Sequence, residues 1–128
     1  MHAFRTAVET RDFEGAVALL ADDVVFRSPV VFKPYQGREV VGALLHAVSR
    51  VFEDFVYERE IGAEGAPDHA LVFKARVGER EIQGCDFLHT NEQGLIDDFT
   101  VMVRPLSAAL ALAEAMQAQL EAAQQSTN

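Results

Sequence analysis

The sequence predicts an α+β fold in which a bent, largely antiparallel sheet wraps around one long helix. Three observations carry this reading. Apolar residues recur at helical spacing through most of the first 52 positions. They then recur every second residue, or run together, in four successive segments, 55–62, 69–77, 81–90 and 95–104. Helices and strands are thus segregated along the chain, which is the pattern of an α+β layer and not of alternating βαβ units. A chain of 128 residues is long enough to bury a core without metal or disulfide support, and neither a repeat nor a linker divides it, so a single domain is expected over 1–128.

The elements follow in order. Ala3–Thr10 is a first helix, broken at Arg11-Asp12. Asp12 caps a second helix, Glu14 favours its first turn, and Phe13, Val17 and Leu20 share its buried face. Asp22-Asp23 is expected to end that helix in a tight turn, and Val24-Val25-Phe26 opens a β-branched strand. Residues 29–37 are apolar yet bracketed by Pro29, Pro34 and Gly37. Proline lacks a ladder donor, so this segment should not continue a central strand and instead folds over something. Arg38 to Phe52 forms the long helix, with Val41, Leu44, Leu45, Val48 and Val51-Phe52 as its apolar stripe.

The four period-two segments are separated by Gly62–Pro67, Gly78-Glu79 and Asn91–Gly94, short turns that imply an antiparallel meander. Pro105 ends the last strand and opens an Ala-rich helix over 106–123. Leu106, Leu110, Ala113, Met116 and Leu120 lie along one of its faces, and 124–128 is a polar tail expected to fray. A bent sheet around one long helix encloses a cavity, which points to a small hydrophobic ligand.

Composition narrows the partners. Eleven basic residues stand against 20 acidic ones, a formal charge of −9, and the basic residues are scattered. A nucleic-acid partner needs a clustered basic surface to displace counterions, so none is expected. No apolar run approaches the roughly 18 residues that span a bilayer, and the N-terminus lacks a basic-then-apolar leader, so no membrane partner is expected. The single cysteine, Cys85, cannot form an internal disulfide, which agrees with a reducing compartment, and cytoplasmic is the default location. Neither His-x-x-x-His nor clustered carboxylate spacing occurs, so no metal site is expected.

Two segments resemble the SnoaL-like branch of the nuclear transport factor 2-like superfamily. The first is Leu19-Leu20-Ala21-Asp22-Asp23-Val24-Val25-Phe26-Arg27-Ser28-Pro29, followed by Gly37 at the start of the long helix. The second is Gly84-Cys85-Asp86-Phe87-Leu88-His89-Thr90-Asn91-Glu92-Gln93-Gly94-Leu95-Ile96, similar to the family's Asp-containing strand, glycine turn and return strand. With the element order, the resemblance covers residues 3–104. It implies a cone-shaped barrel of mixed or antiparallel sheet and a homodimer through the open sheet face, which carries Cys85 and Phe87. It also implies a pocket for a polyketide-, steroid- or terpenoid-like compound, used across the superfamily for isomerisation, dehydration, cyclisation or plain binding.

Ketosteroid isomerases of this superfamily place a carboxylate base just before a proline after the first strand. Their oxyanion hole joins a tyrosine on the first helix to a protonated aspartate. Carried across, these positions fall on Ser28, Phe4 and Asp86, so one group of three remains and that isomerase mechanism is not expected. SnoaL-like cyclases use an acidic residue inside the cone without metal or cofactor. The resemblance therefore implies Asp86 as acid/base and no cofactor.

The residues themselves leave more open. Asp86 sits between Cys85 and Phe87, and alternation alone permits either face; the family comparison places Asp86 in the pocket, with Cys85, Phe87 and His89 outside. A carboxyl in an apolar cavity has its ionised form disfavoured and exchanges protons near neutral pH. Ser28 either donates into the cavity or serves the turn. Tyr35 either offers its hydroxyl to a ligand or packs as a lid aromatic. His46 borders the apolar stripe of the long helix as a proton carrier or a surface histidine. Phe26, Phe32, Phe73 and Phe99 are the aromatic candidates for the lining. Asp97-Asp98, adjacent in a strand, should point to opposite faces and cannot act as a pair. Cys85 reads as a small buried hydrophobe. Two functions stay open: a cofactor-free cyclase, isomerase or dehydratase, or a non-catalytic carrier, sensor or assembly module of the same fold.

Overall fold

In the computed structural model, which describes the backbone of residues 1–126 and the side chains of residues 1–122, ten elements form one layered unit. Helices α1 (Ala3–Glu9) and α2 (Phe13–Ala18) precede strand β1 (Leu20–Arg27), a two-residue strand β2 (Tyr35–Gln36) and the long helix α3 (Arg38–Ser49). Strands β3 (Glu53–Ile61), β4 (Asp68–Val77), β5 (Arg80–Thr90) and β6 (Ile96–Arg104) then run as an antiparallel meander, and α4 (Leu106–Ser126) follows. The predicted tail at 124–128 is helical through Ser126, and residues 127–128 lie outside the described residues.

The sheet has the order β2-β1-β6-β5-β4-β3. It is mixed, because β1 lies parallel to β6 while every other pairing is antiparallel. This parallel contact is what the intervening α3 makes possible, since parallel neighbours need a long crossover. The main core lies between the sheet and the helices and includes Phe4, Leu20, Val24, Val41, Leu45, Phe73 and Phe99. A second cluster, with Val51, Ala75, Ile82, Ala108 and Leu112, seats α4 against the sheet. Among the described residues no helix is long and apolar enough to cross a membrane.

Local chemistry explains the joints. Asp12 caps α2, its carboxylate accepting from the Gly15 N–H at 2.9 Å. Gly37 precedes α3 with φ of 99°, a left-handed conformation that suits glycine, and its N–H donates to the Val24 carbonyl at 2.8 Å. Arg38 at the start of α3 donates to the Leu20 carbonyl at 2.9 Å and meets Asp22 at 3.1 Å, locking the helix to β1.

Four local expectations are corrected. Asp22-Asp23 does not end α2 in a turn. The helix ends at Ala18, and the aspartates sit exposed within β1, where its register against β6 shifts between Leu20 and Val25. A bulged segment frees side chains from the core, so solvated carboxylates are tolerated there. The apolar face of α4 is also displaced: Leu106 and Leu110 are exposed, while Ala108 and Leu112 are buried. Small alanines let the first turns approach the sheet closely, which a face of leucines would not. Asp97 and Asp98 share the outer side of the sheet, because an irregularity in the β5–β6 register at His89–Thr90 inserts one residue between inward-facing Ile96 and Phe99. Asp97 meets His89 at 2.6 Å, and Asp98 accepts from Arg27 at 3.2 Å. Cys85 is only half-buried on that outer side, and burial followed by the nearby Asp86 charge pushes its thiol up.

Candidate functional site

Between α3, α4 and the concave face of the sheet lies a cavity of about 610 Å³. Its walls are mostly apolar, and inward positions of successive strands supply large aromatic side chains to them. On one side Phe55 stacks on Phe73 with centroids 4.9 Å apart, and Phe52 packs on Phe73 at 5.5 Å. On the other, Phe99 meets Phe4 at 5.1 Å and Phe26 at 5.3 Å, both edge-on. Edge-on and offset contacts are the favoured geometry for such rings, so the wall is rigid and apolar. Leu112, Met116 and Leu120 of α4 complete it from above.

Phe73 can lie where it does because residue 84 has no side chain. A Cβ on Gly84 would stand 2.7 Å from Phe73 Cε2 and 3.0 Å from the Met102 carbonyl oxygen. Gly84 is the Cα partner of Phe73 in the β4–β5 ladder, so the ring lies across the glycine.

Two residues further along β5, on the same face, Asp86 also lines this cavity. It is 6 % exposed, a buried carboxyl in an apolar wall. Tyr57 of β3 reaches across β4, and its hydroxyl donates to Asp86 Oδ2 at 2.9 Å. Among the described residues this is the only hydrogen bond to the Asp86 side chain. Burial pushes the Asp86 carboxyl up to about 7, and the Tyr57 hydrogen bond opposes that rise. Tyr57 is itself held far above the ordinary phenol range, first by burial and then by the Asp86 charge, so its hydroxyl stays protonated and remains a donor.

The cavity also takes in Ser28, Tyr35, Phe26, Phe73 and Phe99. The Ser28 hydroxyl accepts from the Val30 N–H at 3.1 Å, which closes the turn after Pro29. The Tyr35 ring leans on Phe26 with centroids 6.4 Å apart. Two expected lining residues lie elsewhere. Phe32 is fully exposed at the tip of the loop between β1 and β2, because the loop turns Pro29 and Val30 toward the cavity and leaves its apex in solvent. His46 lies in a surface groove with Val17, Gln36 and Arg38, on the side of α3 away from the cavity that Leu44, Leu45 and Val48 face. A proton exchange between His46 and Asp86 is therefore ruled out by placement.

Tyr57 escapes the sequence reading, although it is one of only two tyrosines. Its signal is the alternation Phe55-Tyr57, which places both rings on one face of a strand. Which strand that face would meet was not legible, because the pairing of β3 with β4 and of β4 with β5 decides it. Among the described residues no three His, Cys, Asp or Glu side chains converge as a metal site.

Comparison with known proteins completes the description. A family model described as a SnoaL-like domain matches residues 1–99. A crystal structure of a steroid delta-isomerase from Pseudomonas aeruginosa superposes with a TM-score of 0.89 at 43% identity, covering 94% of this chain and 88% of that one. An uncharacterised protein with a cystatin-like fold from Silicibacter pomeroyi superposes with a TM-score of 0.88 at 39% identity, covering 94% and 87%. A computationally designed 17-OHP binder, at 23% identity and a TM-score of 0.62, covers 83% and 88% and shares the fold alone. The search of curated proteins gave no match.

Proposed function

The chain belongs to the SnoaL-like domain family, and on that premise we propose that it binds a small hydrophobic carbonyl compound and performs cofactor-free acid/base chemistry on it through Asp86. The observation that carries this reading is the buried Tyr57–Asp86 pair set in an aromatic wall. A carboxyl near 7 is present in both forms at neutral pH, so the same group can give a proton and take one back. Protonated, Asp86 donates to the ligand's carbonyl oxygen. Ionised, it accepts a proton from a carbon next to that carbonyl. A proton removed at one atom and returned at another changes neither the atom count nor the oxidation state, so the reaction calls for no oxidant.

The likeness to a steroid delta-isomerase supports a steroid-like ketone as the first compound to try. The chemistry would differ from the isomerase scheme, because Ser28 and Phe4 stand where that scheme has its base and its tyrosine. In this chain the tyrosine at the aspartate is Tyr57 of β3, whose hydroxyl donates to Asp86.

A second reading, a non-catalytic carrier, is favoured by one observation: among the described residues the Asp86 side chain has a single hydrogen-bond partner, the Tyr57 phenol, which stays protonated. The experiment titrates β,γ-unsaturated steroid ketones into the protein by calorimetry and follows conjugated-enone absorbance in parallel. Binding with turnover that is lost in Asp86→Asn supports the enzyme. Binding without turnover selects the carrier, and absence of binding overturns both.

A further inference from the structure

The mouth of the cavity carries charges whose pairing is uneven. Four charged side chains stand there besides buried Asp86: Glu9, Arg11, Asp54 and Glu121. Each carboxylate already has a partner. Glu9 meets Arg5 at 3.2 Å, Asp54 meets Arg76 at 2.8 Å, and Glu121 accepts from Gln117 at 3.2 Å. Arg11 is the one basic residue among the described lining residues, and no described carboxylate lies within ion-pair distance of it. In a chain with 20 acidic residues that vacancy is not for want of carboxylates.

The position of Arg11 is built by the fold. It stands at the corner between α1 and α2 with φ of 57°, in the left-handed region that few arginines occupy. Its N–H donates to Val8 at 3.0 Å, and the next N–H donates to Ala7 at 2.8 Å, so the corner is pinned to α1. From there the guanidinium lies 5.3 Å from the centroid of Phe13, and Nη2 reaches the Ser49 carbonyl at 3.4 Å. Phe13 and Ser49 both line the cavity, so the charge sits on its rim, stacked and steered, with donors left over.

We propose that Arg11 anchors an oxyanion group, a carboxylate or sulfate, on the end of the ligand that stays at the mouth while its carbonyl end meets Asp86. This rests on the reading that the cavity binds a hydrophobic carbonyl compound. The ligand is then amphipathic: an apolar body against the phenylalanines and an anionic head in the wet rim. A guanidinium fork suits an oxyanion better than a point charge would, and because the site is solvated the oxyanion pays little desolvation.

The test is calorimetry with three matched steroid ketones, carrying a neutral, a carboxylate or an ammonium tail, on wild type, Arg11→Gln and Arg11→Lys. The carboxylate ligand should bind wild type about three- to tenfold tighter than the neutral one, the scale of a partly exposed charge-assisted pair. That advantage should vanish in Arg11→Gln and survive in part in Arg11→Lys. Thermal unfolding of both variants shows that the corner still folds. Equal binding of neutral and carboxylate ligands, a preference for the ammonium, or an advantage that persists in Arg11→Gln overturns the inference and leaves the cavity reading standing. If none of the three binds, both fall together.

Discussion

The Tyr57 hydroxyl donates a 2.9 Å hydrogen bond to Asp86 Oδ2, joining β3 to β5 over the intervening β4 inside an aromatic wall. Two opposing effects meet at that contact. Loss of water disfavours the Asp86 carboxylate, and the phenol hydrogen bond favours it. Burial wins, and the balance sits near neutral pH. Most of the site's expected behaviour follows from which side of that balance a change touches.

Tyr57→Phe removes the effect that favours the ionised carboxylate while keeping the ring among Phe55 and Phe73. The Asp86 carboxyl should then titrate above its present value of about 7. Carbon-detected NMR of the side-chain carboxyl measures this. A midpoint that stays or falls would show that the hydrogen bond does not hold the ionised form. The lost bond should also cost about 1–2 kcal/mol of stability.

Asp86→Asn should alter how stability depends on pH. The carboxyl titrates at 3.8 in an unperturbed setting and at about 7 in the fold, so between those values the folded state holds a proton that the unfolded chain has released. Raising pH through this window therefore draws the chain toward unfolding, by roughly 4 kcal/mol once the buried group is ionised. Asparagine does not titrate. The variant should match wild type near pH 4 and exceed it by up to that amount at pH 8, read from urea unfolding at both values. Equal stabilities at pH 8 would show that the buried carboxyl is not strained.

Gly84→Ala places a methyl against Phe73 and the Met102 carbonyl. The backbone cannot yield cheaply, so the ring must turn into the cavity. A loss of about 1–3 kcal/mol is expected, with weaker binding of a hydrophobic ketone. An unchanged melting temperature would mean that the strands can part at this point.

Phe32→Ser and His46→Gln probe the residues that the fold removes from the cavity. Each should leave stability within about 0.5 kcal/mol and ketone affinity unchanged. A large loss of affinity in either would mean that the loop apex or the outer side of α3 reaches the ligand.

The sequence by itself determined the architecture. Helical spacing over the first third, period-two spacing over the strands and the prolines at 29, 34 and 105 specify the elements and their order, because these signals are local. For Asp86 alternation left the face open, and it was the family resemblance of the Gly84–Ile96 segment that put this residue in the cavity and its neighbour Cys85 on the other face. The errors also have local causes. Bulges at Asp22-Asp23 and at Asp97-Asp98 break the strict alternation on which face assignments depend, and one added residue turns a side chain to the opposite side.

What only the tertiary structure decided is which side chains meet. Tyr57 and Asp86 are 29 residues apart, and their contact exists because β4 sets β3 and β5 in one register. Arg11 comes to Ser49 over a separation of 38 residues, through a helix corner that no periodicity announces. Alternation tells a residue which face it occupies but not what stands opposite. The site's chemistry lies in those oppositions, in a buried acid given one donor and a rim cation left without a carboxylate, and they are settled by packing of the whole chain.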